Sequence, residues 1–134
     1  MDDNMSEDSQ SQPPFEKQKG IAHLFAAARY STQGLIRLSK ETAFYHEVLA
    51  FVAGEILLIA IGAPVHHWLI FAALMLMMFA VEALNTAIEE VVDRVSPEFS
   101  LAAKHAKDLG SFAVLCAMLI TGGFMLYAVV TAFL

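Results

Sequence analysis

Between residues 82 and 93 the chain reads Glu-Ala-Leu-Asn-Thr-Ala-Ile-Glu-Glu-Val-Val-Asp, directly after a long apolar run. At about 100° per residue, Glu82, Asn85, Thr86, Glu89 and Asp93 fall within roughly 60° of one line on a helix. Ala83, Leu84, Ala87, Ile88, Val91 and Val92 fill the other positions. Layered carboxylates suit two kinds of chemistry. Shallow ones hold Mg²⁺ and its phosphates while a deeper one takes a proton from a hydroxyl. Alternatively, the series forms a proton or cation pathway. A helix that is apolar on most sides with one acidic stripe belongs at the edge of a bilayer. The plain alternative is that the acids only mark the end of a span. Glu90 and Asp93 fit that reading; Glu82 and Asn85 fit it poorly, because the apolar run has barely ended where they stand.

The elements that must position these groups follow from hydropathy. The chain has 134 residues, enough for one domain, with 57% hydrophobic and 16% charged residues. A charged fraction of about a quarter is usual for soluble domains, so the composition points to an all-α membrane protein. The net charge of −6 misleads, since Asp2, Asp3, Glu7 and Asp8 cluster at the start. No dense basic patch exists, which argues against nucleic acid as a partner. The single cysteine, Cys116, lies in an apolar run and reads as a packing residue.

Residues 1–20 are polar, contain Ser-Gln-Ser-Gln-Pro-Pro, and read as a disordered tail without the features of a secretory leader. Residues 21–38 place Ile21, Leu24, Phe25, Ala28, Leu35 and Ile36 at helical spacing among charges, which predicts an amphipathic helix on the membrane surface. An ordinary docking helix has the same pattern. Spans are expected at about 41–63, 66–93 and 99–133, with breaks at Gly62-Ala63-Pro64 and Ser96-Pro97. Glu47 and Glu55 interrupt the first span; Glu55 must pair, be protonated, or face a polar cavity. His66 and His67 point about 100° apart, so interfacial histidines beside Trp68 are favoured over a metal pair.

All eight lysines and arginines lie before the first span or around the second loop. The positive-inside rule then predicts a cytoplasmic N-terminus and a periplasmic C-terminus. On that topology Glu41, Glu89, Asp93, Lys107 and Asp108 collect at the cytoplasmic interface, with Glu82 about 10 Å deeper than Glu89. Lys107 suits phosphoryl charge, and Glu82 suits proton abstraction from a lipid hydroxyl. No G-x-x-x-x-G-K-[ST] loop is present, which excludes the common nucleotide-binding fold. From the residues alone, a lipid kinase, a small proton or cation transporter, and an inactive assembly subunit all stay open.

The run Glu82-Ala-Leu-Asn85-Thr-Ala-Ile-Glu89-Glu-Val-Val-Asp93-Arg94, followed by Ala106-Lys107-Asp108-Leu-Gly110-Ser111, closely resembles the bacterial diacylglycerol kinase family of small membrane kinases. Tyr30-Ser31, Gly34-Leu35 and Glu41-Thr-Ala-Phe44-x-x-Glu47 extend the resemblance over roughly residues 21–134. The resemblance implies a surface helix with three spans, assembled as a homotrimer with active sites shared between subunits, in the inner membrane. It implies phosphorylation of diacylglycerol by MgATP, or of undecaprenol, which related proteins use. Glu82 is implied as general base supported by Asn85, and Glu41 and Glu89 as metal ligands. Lys107 is implied on the phosphates. Tyr30, Glu41, Glu89, Asp93, Glu98, Phe99, Ser100, Lys107 and Asp108 match nucleotide-contacting positions. Phe44, Glu47, Glu82 and Ser111 match lipid-facing ones. The chain departs from the family where Tyr-His often stands (Phe99-Ser100 here), at His23, where a basic residue is common, and in the segment before Glu41, which is one residue shorter.

Overall fold

The computed structural model of the protein describes residues 20–134. The expected tail, except Gly20, lies outside the described residues. Among the described residues four helices follow one another: α1 (Ile21–Leu38), α2 (Thr42–Ala60), α3 (Val65–Val95) and α4 (Leu101–Ala132). The described residues form two compact units, divided after Thr32. In the first, α1 leaves Ile21, Leu24, Phe25 and Tyr30 exposed, with the Arg29 guanidinium 5.4 Å from the centre of the Tyr30 ring.

In the second unit, α3 packs along most of α4 and less extensively along α2, while α2 and α4 touch little. All three are long and apolar enough to cross a membrane. Their lengths differ. The 19 residues of α2 rise about 28 Å, close to the hydrocarbon thickness of about 30 Å. The 31 residues of α3 and 32 of α4 rise about 46–48 Å, so each extends beyond the hydrocarbon. The apolar core sits away from the acidic stripe: Leu58 and Met75 are fully buried, with Ala63, Phe71, Met78 and Ala128 around them. Elsewhere large apolar side chains such as Ile56, Leu76 and Leu119 lie on the outside, where a soluble bundle would place charge.

The two connections are built differently. After α2, Gly62 takes φ +66°, its N–H donates to Ile59, and the Ala63 N–H reaches back to Leu58 at 2.9 Å. This glycine-terminated cap satisfies the last carbonyls and stops the helix at Ala60, three residues short of the expected span end at 63. Pro64 follows, at the N-cap of α3. The second connection relies on hydroxyls. The Ser96 and Ser100 side chains lie 3.1 Å apart, Ser96 donates to the Glu98 carbonyl, and Ser100 accepts from the Ala103 N–H as the N-cap of α4.

Candidate active site

Helical periodicity turns Glu82 and Thr86 of α3 inward, with His67, Phe71, Met75 and Met78 of the same stripe. Glu82 is 5% exposed, and Glu47 of α2, 8% exposed, is turned into the same interior. Glu82 lies within electrostatic reach of Glu89 and Glu41, and Glu47 within reach of Glu82. Glu82 and Glu47 are thus buried carboxylates of one interior, while Glu89 and Glu41 are only half-buried. One turn out from Glu82, Asn85 Nδ2 donates to Glu89 Oε1 at 3.3 Å. Asn85 Oδ1 is buried without a hydrogen-bond partner, as is Glu47 Oε2. Orphaned buried acceptors are uncommon and call for a donor.

Gly110 of α4 is what lets Asn85 lie there. A Cβ at Gly110 would run into Asn85 Oδ1 and stand 3.3 Å from its Cγ. The close approach of α4 to α3 at this level therefore depends on the missing side chain.

At the outer end the site becomes cationic as well as acidic. Lys107 Nζ donates to Asp93 Oδ1 at 2.5 Å, joining α4 to α3, and Lys104 donates to Asp108 at 2.6 Å within α4. An open cleft of about 330 Å³ lies between these pairs and the serine-capped connection. Asp93, Glu98, Phe99, Ser100, Lys107 and Asp108 all line it. Beside it, Arg37 Nη1 donates to Glu41 Oε1 at 2.5 Å and Nη2 pairs with Glu90. The hydrogen bond to Glu41 raises the Arg37 pKa above its ordinary value, making it a fixed cation. These are exposed pairs and contribute little to stability.

The site residues expected from sequence therefore fall into groups. Glu82 and Glu47 are buried, with the half-buried Asn85, Glu89 and Glu41 toward the outer end. Asp93, Lys107, Asp108, Glu98, Phe99 and Ser100 form the cleft. Phe44 is buried, its ring edge-on to Phe79 at 5.1 Å, while Ser111 is exposed on α4. Tyr30 belongs to the first unit. The expectations did not include Arg37, Glu90, Lys104 or Gly110 in the site. Arg37 with Glu41 and Lys104 with Asp108 are i,i+4 pairs legible from spacing. The bond to Glu90 and the fit of Gly110 are not. No three His, Cys, Asp or Glu side chains gather as a metal site among the described residues. Magnesium usually takes one or two carboxylates plus phosphate oxygens. Glu41 and Glu89 carry the hard oxygen donors that such a cation takes, and each is engaged here, Glu41 by Arg37 and Glu89 by Asn85.

A model of the prokaryotic diacylglycerol kinase family matches residues 29–129. The chain belongs to this family. It is 55% identical over 117 residues to a diacylglycerol kinase of Sinorhizobium sp, covering 87% of this chain and 85% of that one. It is 36% identical over 103 residues to the diacylglycerol kinase of Escherichia coli strain K12, covering 75% and 84%, and 36% identical over 107 residues to that of Haemophilus influenzae, covering 79% and 91%. As a diacylglycerol kinase family member the protein is an enzyme, a phosphotransferase, and a nucleotide co-substrate follows. Membership of this bacterial family, with three apolar helices, points to the inner membrane.

Proposed function

We propose that the protein transfers the γ-phosphoryl group of ATP to the free hydroxyl of diacylglycerol at the cytoplasmic face of the membrane, giving phosphatidic acid. The observation that carries this reading is the layering on α3: a buried carboxylate, Glu82, about 15 Å along the helix from an open cleft lined by Lys107, which joins α4 to α3. Water-soluble nucleotide would enter the cleft, and the lipid hydroxyl would arrive from the membrane side. The site joins the two at one helix face.

In this reading ATP lies along Asp93, Glu98, Phe99, Ser100, Lys107 and Asp108. Lys107 donates to the phosphates and neutralises charge on the transferring group. Glu41 and Glu89 would hold Mg²⁺, which when bound would neutralise charge on the phosphates. Glu82 accepts the proton of the lipid hydroxyl as its oxygen bonds to the γ-phosphorus. The bond from that phosphorus to the β,γ-bridging oxygen breaks, and ADP leaves. Asn85 holds Glu89 through its amide N–H and keeps the Glu82 turn of α3 in register. Phe44, Glu47 and Ser111 flank the lipid side.

Burial of Glu47 and Glu82 in a three-helix unit that leaves most of its surface apolar also supports self-association, and we read the assembly as a homotrimer whose sites are shared between subunits. α1 then lies on the membrane surface through Ile21, Leu24 and Phe25, with the N-terminus cytoplasmic and the C-terminus periplasmic.

The test is lipid-dependent ATP consumption by purified protein in mixed micelles, with diacylglycerol and undecaprenol offered separately. Turnover with diacylglycerol is expected, and Glu82→Gln should lower it by about 10²–10⁴ while nucleotide binding persists. Turnover only with undecaprenol would keep the site and change the acceptor. Weakened nucleotide binding with undiminished chemistry in Glu82→Gln would overturn the assignment of the base.

A further inference from the structure

The proposed chemistry leaves one intramembrane acid unused. Glu55 lies within α2, five residues before its last residue Ala60, and is only half-buried. The ion pairs of the described residues all lie at the other end of the unit: Arg37 with Glu41 and Glu90, Lys104 with Asp108, Lys107 with Asp93. Lipid tails offer no hydrogen bond, and an unpaired carboxyl among them is costly.

At the same level the unit has a cavity of about 260 Å³, lined by Gly54 and Ala50 of α2, methionines and Phe71, and Thr121 and Gly122 of α4. Thr121 carries the one polar side chain on this lining and is 6% exposed. Ala50, Met118 and Gly122 on the rim are exposed, so the cavity opens sideways out of the chain. Glu55 cannot fill it in its own chain. Gly54 faces inward, where a Cβ would collide with Phe71 and stand 3.0 Å from Met125. Glu55 follows it by about 100° around the helix and lies outside the lining. A carboxyl on one side of α2 and a hydroxyl-floored hole on the other, one residue apart in depth, form a head-to-tail pair. In a ring of copies about an axis normal to the membrane, every copy holds equivalent residues at equal depth.

We propose that Glu55 of each subunit enters this cavity of its neighbour and hydrogen-bonds to Thr121 of the partner subunit. A hydroxyl donates to a carboxylate and accepts from a carboxylic acid, so the pair forms with either state of Glu55. The flexible methionines of the wall adapt to the entering side chain. The inference rests on the self-association in the reading above and is independent of the kinase chemistry.

Full-length protein labelled for energy transfer between subunits, diluted into increasing dodecyl maltoside, reads the association constant. Glu55→Leu and Thr121→Val should each weaken association by roughly three- to tenfold per contact. The double variant should lose no more than either single one, and Glu55→Gln, which keeps hydrogen-bonding atoms, should stay within about twofold of wild type. Both apolar variants suit lipid, so loss of insertion is not the expected failure. Unchanged or tighter association of Glu55→Leu, as for an acid that faces lipid, would overturn the pairing and leave the assembly reading standing. Losses that add in the double variant would also overturn it. A wild type that shows no association in any micelle would remove both, with kinase turnover measured separately.

Discussion

The two ends of the α2–α4 unit solve the same problem, reversing the chain at a membrane edge, in opposite ways. At the Gly62 end the backbone satisfies itself through a positive-φ glycine and two reverse hydrogen bonds, leaving little chain outside the helices. No lysine or arginine lies there. At the Ser96–Ser100 end the connection is held by side-chain hydroxyls, and cations and anions interleave across α3 and α4. Each turn leaves an open cleft, about 380 Å³ beside Gly62 and about 330 Å³ beside Ser96–Ser100, but only the second has lysines and carboxylates along its walls.

That contrast is sharpest where chemistry is expected. Glu82→Gln, the control in the turnover assay, should have the largest effect. Next, Lys107→Met should lower turnover by about 10²–10³, since it strips Asp93 of its partner and, in the proposed reading, removes the cation on the phosphates. Activity near wild type would show that the cleft is not where phosphates sit. Gly110→Ala should cost about ten- to a hundredfold in turnover, because the added Cβ displaces Asn85 and with it the bond to Glu89. An active, normally folded Gly110→Ala protein would break the link between this packing and the carboxylates of α3. Glu41→Gln and Glu89→Gln should each raise the Mg²⁺ concentration for half-maximal activity by about tenfold, in line with the loss of one ligand carboxylate. Unchanged magnesium titrations in both would remove them as ligands. Smallest, Gly62→Ala should leave turnover per folded protein unaltered and cost about 1–2 kcal/mol of stability, read from thermal unfolding in micelles, because a Cβ resists the left-handed conformation. A large loss of turnover there would erase the distinction between the two ends.

Much of this was legible in the chain because helices encode their faces locally. The stripe of Glu82, Asn85, Glu89 and Asp93 follows from a 3.6-residue period, and the three apolar helices follow from hydropathy. What periodicity does not carry is which residue on one helix meets which on another. Arg37 reaches Glu90 across many residues of sequence, and Gly110 matters only because Asn85 lies opposite. Neither signal exists within a single window. Phe44, which the resemblance matches to a lipid-facing position, shows the same limit: no spacing within the chain announces its contact with Phe79. The early end of α2 was visible as Gly62, but the helix stops two residues before the glycine because the cap reaches back to Ile59 and Leu58.

The unequal helix lengths have a consequence for where such an enzyme works best. With 19 residues, α2 has almost no slack against the bilayer, whereas the 31 residues of α3 overhang it. The short helix therefore acts as a gauge, fixing the height of the whole unit, and Glu82 rides at a set distance along the long one. A thicker membrane must thin locally or draw the unit down, and a thinner one must tilt it. Either adjustment moves the carboxylate relative to the plane in which lipid hydroxyls lie. With Glu82 as the proposed base, acyl-chain length of the surrounding bilayer would act on turnover through vertical alignment.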